Sequence, residues 1–113
     1  MKRDLLKLSN VTVGNTDNID TGIIPTGNKL IITRFGAADV NIGDNKSSLF
    51  ILKWGVVGSF DELAVISLCG DTFEYAMKEQ LIGDGVKFLR ISRSHQSASD
   101  KRCPVWVKAY DVA

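Results

Sequence analysis

Short apolar runs alternate along the whole chain with clusters of glycine, asparagine and aspartate. That rhythm predicts strands joined by turns. Lys29 to Phe35 carries β-branched and aromatic weight in Leu30, Ile31, Ile32 and Phe35 and reads as a strand. Leu49 to Val57 is the strongest strand, with Leu49, Ile51 and Lys53 on one side and Phe50, Leu52 and Trp54 on the other. Both sides are largely apolar, so both are expected to be covered. Leu63 to Cys69 follows, ending in a Gly70-Asp71 turn. In Thr72 to Leu81, Phe73, Tyr75 and Met77 alternate with Glu74, Ala76 and Lys78. Glu74, Met77, Lys78 and Leu81 also fit helical spacing, but the alternation and the flanking Gly-Asp pairs decide for a strand. Gly83-Asp84-Gly85 makes a tight turn before a strand from Val86 to Ser92. The closing strand, Pro104 to Val112, sets Val105, Val107 and Ala109 against Trp106, Lys108 and Tyr110.

Leu5 to Val13 opens the structured part as an edge strand or a single helical turn. The segments from Gly14 to Gly22, Gly36 to Ser48 and Arg93 to Arg102 are polar and read as loops. The total is about seven or eight strands in one domain over residues 1–113. That number defines an all-β fold, an antiparallel β-sandwich or jelly roll.

With 113 residues, 44% apolar and 24% charged, the chain can bury a core without metals or disulfides. The N-terminus lacks the apolar run of a signal peptide, and no segment approaches a membrane span. A soluble, cytoplasmically made protein with no membrane partner is expected. The net charge of +1 draws it to no polyanion, so nucleic acid is not an expected partner. The charge is nonetheless uneven. Six acids stand against one base from Ser59 to Asp84, and six bases against one acid from Gly85 to Lys108. Complementary charge on neighbouring strands is the expected reason, with a charged contact between subunits as the alternative. Cys69 and Cys103 match no metal spacing, and a disulfide between them is allowed but not required.

No catalytic constellation appears. His95 is the single histidine, in a Ser-rich loop with no triad order around it. Asp61, Glu62 and Asp84 read as solvated turn acids rather than a facing carboxylate pair. Asp39 to Asp44 alternates oxygen ligands, but the glycine falls fifth and Phe50 stands where an EF-hand needs glutamate, so no metal is expected. Gly83-Asp84-Gly85 lacks the glycine pattern of a nucleotide site, and no cofactor is expected. The aromatic residues carry the most functional interest. If Leu49, Ile51, Val105 and Val107 fill the core, then Phe50, Leu52, Trp54 and Trp106 face outward, with Tyr110 beside them. Phe50, Trp54, Trp106 and Tyr110 are then the candidate interface or ligand-binding residues.

Two stretches carry a resemblance. Ile24-Pro25-Thr26-Gly27-Asn28-Lys29-Leu30-Ile31-Ile32-Thr33 resembles the Pro-x-Gly-Lys-hydrophobic entry to the first main strand of small β-sandwich proteins from phages and prophages. Ile82-Gly83-Asp84-Gly85-Val86-Lys87-Phe88-Leu89-Arg90-Ile91 is similar to their Gly-Asp-Gly-x-x-x-Leu-x-Ile strand, and Pro104 to Val112 to their closing aromatic strand. Together these three stretches make up about a quarter of the 113 residues. The family pattern continues into an asparagine-rich turn, where this chain has Arg93-Ser94-His95-Gln96, so the resemblance assigns that loop nothing. It implies a non-enzymatic tail, decoration or attachment protein of a virion, acting as a homo-oligomer or with other virion proteins, in the virion or the cytoplasm of the infected host. The alternative is a carbohydrate-binding module that stacks a surface glycan on Trp54, Trp106 or Tyr110.

Overall fold

A computed structural model describes residues 2–4, 11–13, 17–40, 46–95 and 102–112, with the backbone alone described at 2–4, 11–13 and His95. Among the described residues there is no helix. The strands are β1 (Lys2–Asp4), β2 (Val11–Val13), β3 (Asn18–Asp20), β4 (Lys29–Ala38), β5 (Ser48–Val56), β6 (Ser59–Leu68), β7 (Thr72–Ile82), β8 (Phe88–His95) and β9 (Cys103–Val112). One sheet runs β1-β9-β4-β7 with β2 also on β9, and the other runs β3-β8-β5-β6. All pairings are antiparallel.

Strands β1 and β2 lie end to end on the same side of β9, opposite its residues 110–112 and 103–105. They share one lane, so the nine segments fill eight lanes. In chain order the lanes pair first with last, second with seventh, third with sixth and fourth with fifth, and successive pairs fall in alternate sheets. The chain is therefore one long antiparallel ribbon, tipped by the β5–β6 hairpin and wound around its own core. That winding is the double Greek key of a jelly roll. The core between the sheets holds Leu30, Ile32, Phe35, Val105 and Val107 from one side and Phe50, Leu52, Trp54, Leu89 and Ile91 from the other.

The ribbon turns its corners as a bonded pair of strands. The β3–β4 and β7–β8 connections cross between sheets together and bond to each other. Gly27 N donates to Gly83 O (2.9 Å), Gly83 N to Asn28 O (2.8 Å), Gly85 N to Ile24 O (3.1 Å) and Ile24 N to Lys87 O (3.0 Å). The two stretches that carry the family resemblance are thus the two halves of one corner. A Cβ at Gly83 would run into Pro25 O and the Ile24 side chain, which is why this position is glycine. Asp84 seals the turn by accepting from Val86 N and Lys87 N at 3.0 and 2.9 Å.

Several strand limits differ from the sequence pattern. Strand β4 runs three residues beyond Phe35, where Gly36, Ala37 and Ala38 pair with β7, and its register shifts between Ile32 and Arg34. Leu30 and Ile32 face the core before the shift, and Phe35 and Ala37 after it. Strand β6 begins at Ser59 rather than Leu63, since an edge strand needs little apolar weight to pair. Strand β3 lies inside the segment expected to be loop; as an edge it needs only Ile19 against the core, between polar Asn18 and Asp20. The Leu5–Leu8 segment lies outside the described residues.

Candidate interaction surfaces

The four candidate aromatic residues divide. Phe50 and Trp54 are 0% and 5% exposed and belong to the core with Leu52. Their expected outward orientation is overturned: the Leu49, Ile51 and Lys53 side of β5 faces out, because it carries the charge and the opposite side is uniformly bulky and apolar. Trp106 and Tyr110 do lie on the outer face, as expected, with Val105 and Val107 buried behind them. They sit four residues apart on β9, opposite Gly36 and Ile31 of β4.

Trp106 is fixed by its neighbours. Gly36 lies between Trp106 and Glu74 in the cross-strand register. The indole lies across Gly36 so closely that a Cβ there would collide with Cε2, Cζ2 and Nε1 of the ring. This brings Nε1–H over β4 to donate to Glu74 Oε2 at 2.6 Å. The other carboxylate oxygen accepts from Arg34 Nη1 at 2.7 Å. The indole hydrogen bond, then Arg34, hold the Glu74 carboxyl below the usual carboxylate range. The outer face of this sheet thus carries a pinned indole flanked by Glu74, Arg34, Lys108 and Tyr110.

The other sheet also carries an aromatic cluster opposite a glycine, although a Cβ at Gly55 would meet Ser59 O rather than a ring. Gly55 lies between Phe60 and Phe88 in register, and their rings meet edge to face at 5.6 Å. The Arg90 guanidinium sits 4.9 Å from the Phe60 centroid and 5.6 Å from that of Phe88, in cation–π geometry. Asp20 holds Arg90 from the far side with two bonds of 2.6 and 2.9 Å. Sequence reasoning missed this cluster. Its signal is a glycine inside a strong apolar strand, which marks a place where another backbone, here Ser59, approaches closely.

Asp39, Ser48, Arg93 and Cys103 are buried together at the end of the sandwich opposite the Gly83 corner. Asp39 ties the β4–β5 and β6–β7 crossings: its N–H donates to Asp71 O (2.8 Å), and its carboxylate accepts from Gly70 N (3.1 Å) and Cys103 Sγ (3.7 Å). Arg93 donates from Nε and Nη2 to Ser48 Oγ at 3.3 and 3.2 Å, with its guanidinium 5.9 Å from the Phe50 centroid. Cys69 and Cys103 form no disulfide; Cys103 is a buried thiol whose pKa burial pushes up, and Cys69 is exposed. Residues 41–45 of the Asp39–Asp44 loop lie outside the described residues, as does the His95 side chain. Among the described residues no cluster of metal-ligating side chains occurs, and no helix is long and apolar enough to cross a membrane. The acids considered for hydrolysis do not converge with His95. Asp61 pairs opposite Trp54 and His95 opposite Ser48, on the order of 20 Å apart along β5.

The uneven charge does not arise from neighbouring strands as expected. Acidic β6 and β7 pair with β5 and β4, not with basic β8 and β9. Among the described residues, Arg90 finds its acid on β3 and Glu74 finds its base on β4.

No family model, no curated protein and no solved structure matches the chain.

Proposed function

We propose that the chain is a non-enzymatic structural or attachment protein of a phage-like particle, working through protein–protein contacts and self-assembly. The observation that carries this reading is the jelly-roll winding, an architecture used by viral capsid and lectin domains, in a chain short enough to be a single module. Fold alone does not assign function. Two further features support the reading: the motif resemblance to small phage β-sandwich proteins, and the apolar residues Phe73, Tyr75 and Val65 left exposed. Negative-stain electron microscopy of concentrated protein tests it. Discrete rings or regular arrays support it; a field of isolated monomers counts against it.

One observation favours a second reading, glycan binding. Trp106 is held over Gly36 on the outer face of a sheet, half-buried, with an acid and a guanidinium bonded beside it and Tyr110 further along the same strand, which are the elements of a sugar-stacking platform. Of the aromatic residues first considered for this role, Trp54 is removed by its burial. A glycan screen read by Trp106 fluorescence tests it: a saturable change abolished by Trp106→Ala supports the platform, and its absence across the screen removes it.

A further inference from the structure

Strand β7 is the long edge of its sheet, bonded to β4 on one side and to no described strand on the other. Natural sheets blunt such edges by keeping them short, by bulges, by proline or by charge. The other described edges do this. Strand β3 has three residues, and β1 and β2 are two three-residue pieces. Strand β6 carries a register shift opposite Leu52/Lys53 and gives its Val65 carbonyl to Tyr75 Oη at 3.1 Å. Strand β7 also carries a register shift, between Glu79 and Ala76, and the charges of Glu74, Lys78 and Glu79, but it has eleven residues and no proline, and it leaves Phe73 and Tyr75 45% and 39% exposed, packed edge to face at 4.8 Å.

Charge selects the occupant of this edge. An antiparallel second copy of β7, related by a two-fold axis at Ala76, sets Glu74 opposite Lys78, Thr72 opposite Gln80 and Tyr75 opposite Met77. It also brings Phe73 diagonally onto Met77. Both Glu74–Lys78 pairs are of opposite sign, and an isologous contact makes each favourable pair twice. Strand β6, the other long edge, carries Asp61 and Glu62 and no base, so its self-pairing gathers negative charge alone. We infer that β7 pairs antiparallel with β7 of a second copy of this chain, centred on Ala76, joining the two sheets across the dimer. The inference rests on the self-assembly reading and makes it specific.

A cysteine at the symmetry axis tests the register. In a Cys69→Ser background, Ala76→Cys places two thiols directly opposite each other, at a Cβ separation of about 5 Å. Lys78→Cys is the control, because its two copies stand about 13 Å apart along the strands, beyond disulfide reach. Both positions are exposed, so the fold tolerates the changes. Under mild oxidation the Ala76→Cys protein is expected to run mostly as a covalent dimer and the Lys78→Cys protein as a monomer. Lys78→Glu, which sets glutamate against Glu74 twice, is expected to halve the solution mass while leaving thermal unfolding of the monomer in place. Equal cross-linking at 76 and 78, or none at 76 in a protein that still oligomerises, overturns the β7 register and leaves self-assembly standing. A protein monomeric in every variant, wild type included, overturns both.

Discussion

The Trp106 indole donates to Glu74 across an intervening strand, Nε1 to Oε2 at 2.6 Å, because the residue between them is Gly36. Any side chain at 36 would occupy the indole's place. Gly36→Ala is therefore expected to lift the ring off the sheet and break the bond. The indole is half-exposed and can swing outward, so the cost should fall near the low end of the roughly 1–3 kcal/mol typical of overpacking. Denaturant unfolding measures the loss, and the Trp106 indole N–H resonance should move toward its solvent-exposed position.

The same bond gives a pH signature. The folded Glu74 carboxyl titrates below its unfolded value, held down by the indole and by Arg34. Its contribution to stability is thus full above the unfolded glutamate pKa, about 4.3, and fades as pH falls through the lower folded value. In an acid titration followed by NMR, the Trp106 indole proton should shift in that lower window while buried Trp54 stays still. Glu74→Gln should remove the transition.

Much of this architecture was legible in the sequence, and the misses have physical causes. Strand β9 was read correctly, since Val105 and Val107 alternate with Trp106 and Lys108 and one side alone is uniformly apolar. Strand β5 was turned the wrong way although Lys53 marked its outer face; two apolar sides made one charge look incidental. In β4 the shift after Ile32 changes which parity faces inward, and strict alternation cannot register that. The role of Gly36 depends on Trp106, seventy positions away, so no local pattern announces it. The charge halves misled because the ribbon winds: strands next to each other in sequence, such as β8 and β9, are placed in opposite sheets.

The corner formed by Ile24–Asn28 and Gly83–Lys87 is rigid where it matters. A methyl group at Gly83 meets the backbone oxygen of Pro25, which cannot move without breaking the hydrogen bond it accepts from Asn28 N. Gly83→Ala is expected to cost about 3 kcal/mol, the upper end of overpacking penalties. Urea unfolding should show it as a lowered midpoint with an unchanged slope.

The two thiols should behave differently. Cys69 is exposed, whereas Cys103 is buried against Asp39 with its pKa raised by burial. A thiol reagent at neutral pH is expected to modify one cysteine per native chain quickly and the second only on unfolding. Peptide mapping should place the fast label at Cys69. Rapid modification of Cys103 in the native protein would contradict the packing at that end of the sandwich.

Self-association through the open β7 edge is the central claim, and the solution mass tests it most directly. Static light scattering across a concentration series should give a mass that rises to twice the monomer or to a higher even multiple. The rise should hold in the wild-type protein and be suppressed by Lys78→Glu. A mass that stays at the monomer value to the highest concentration reached would contradict both the edge pairing and the assembly role built on it.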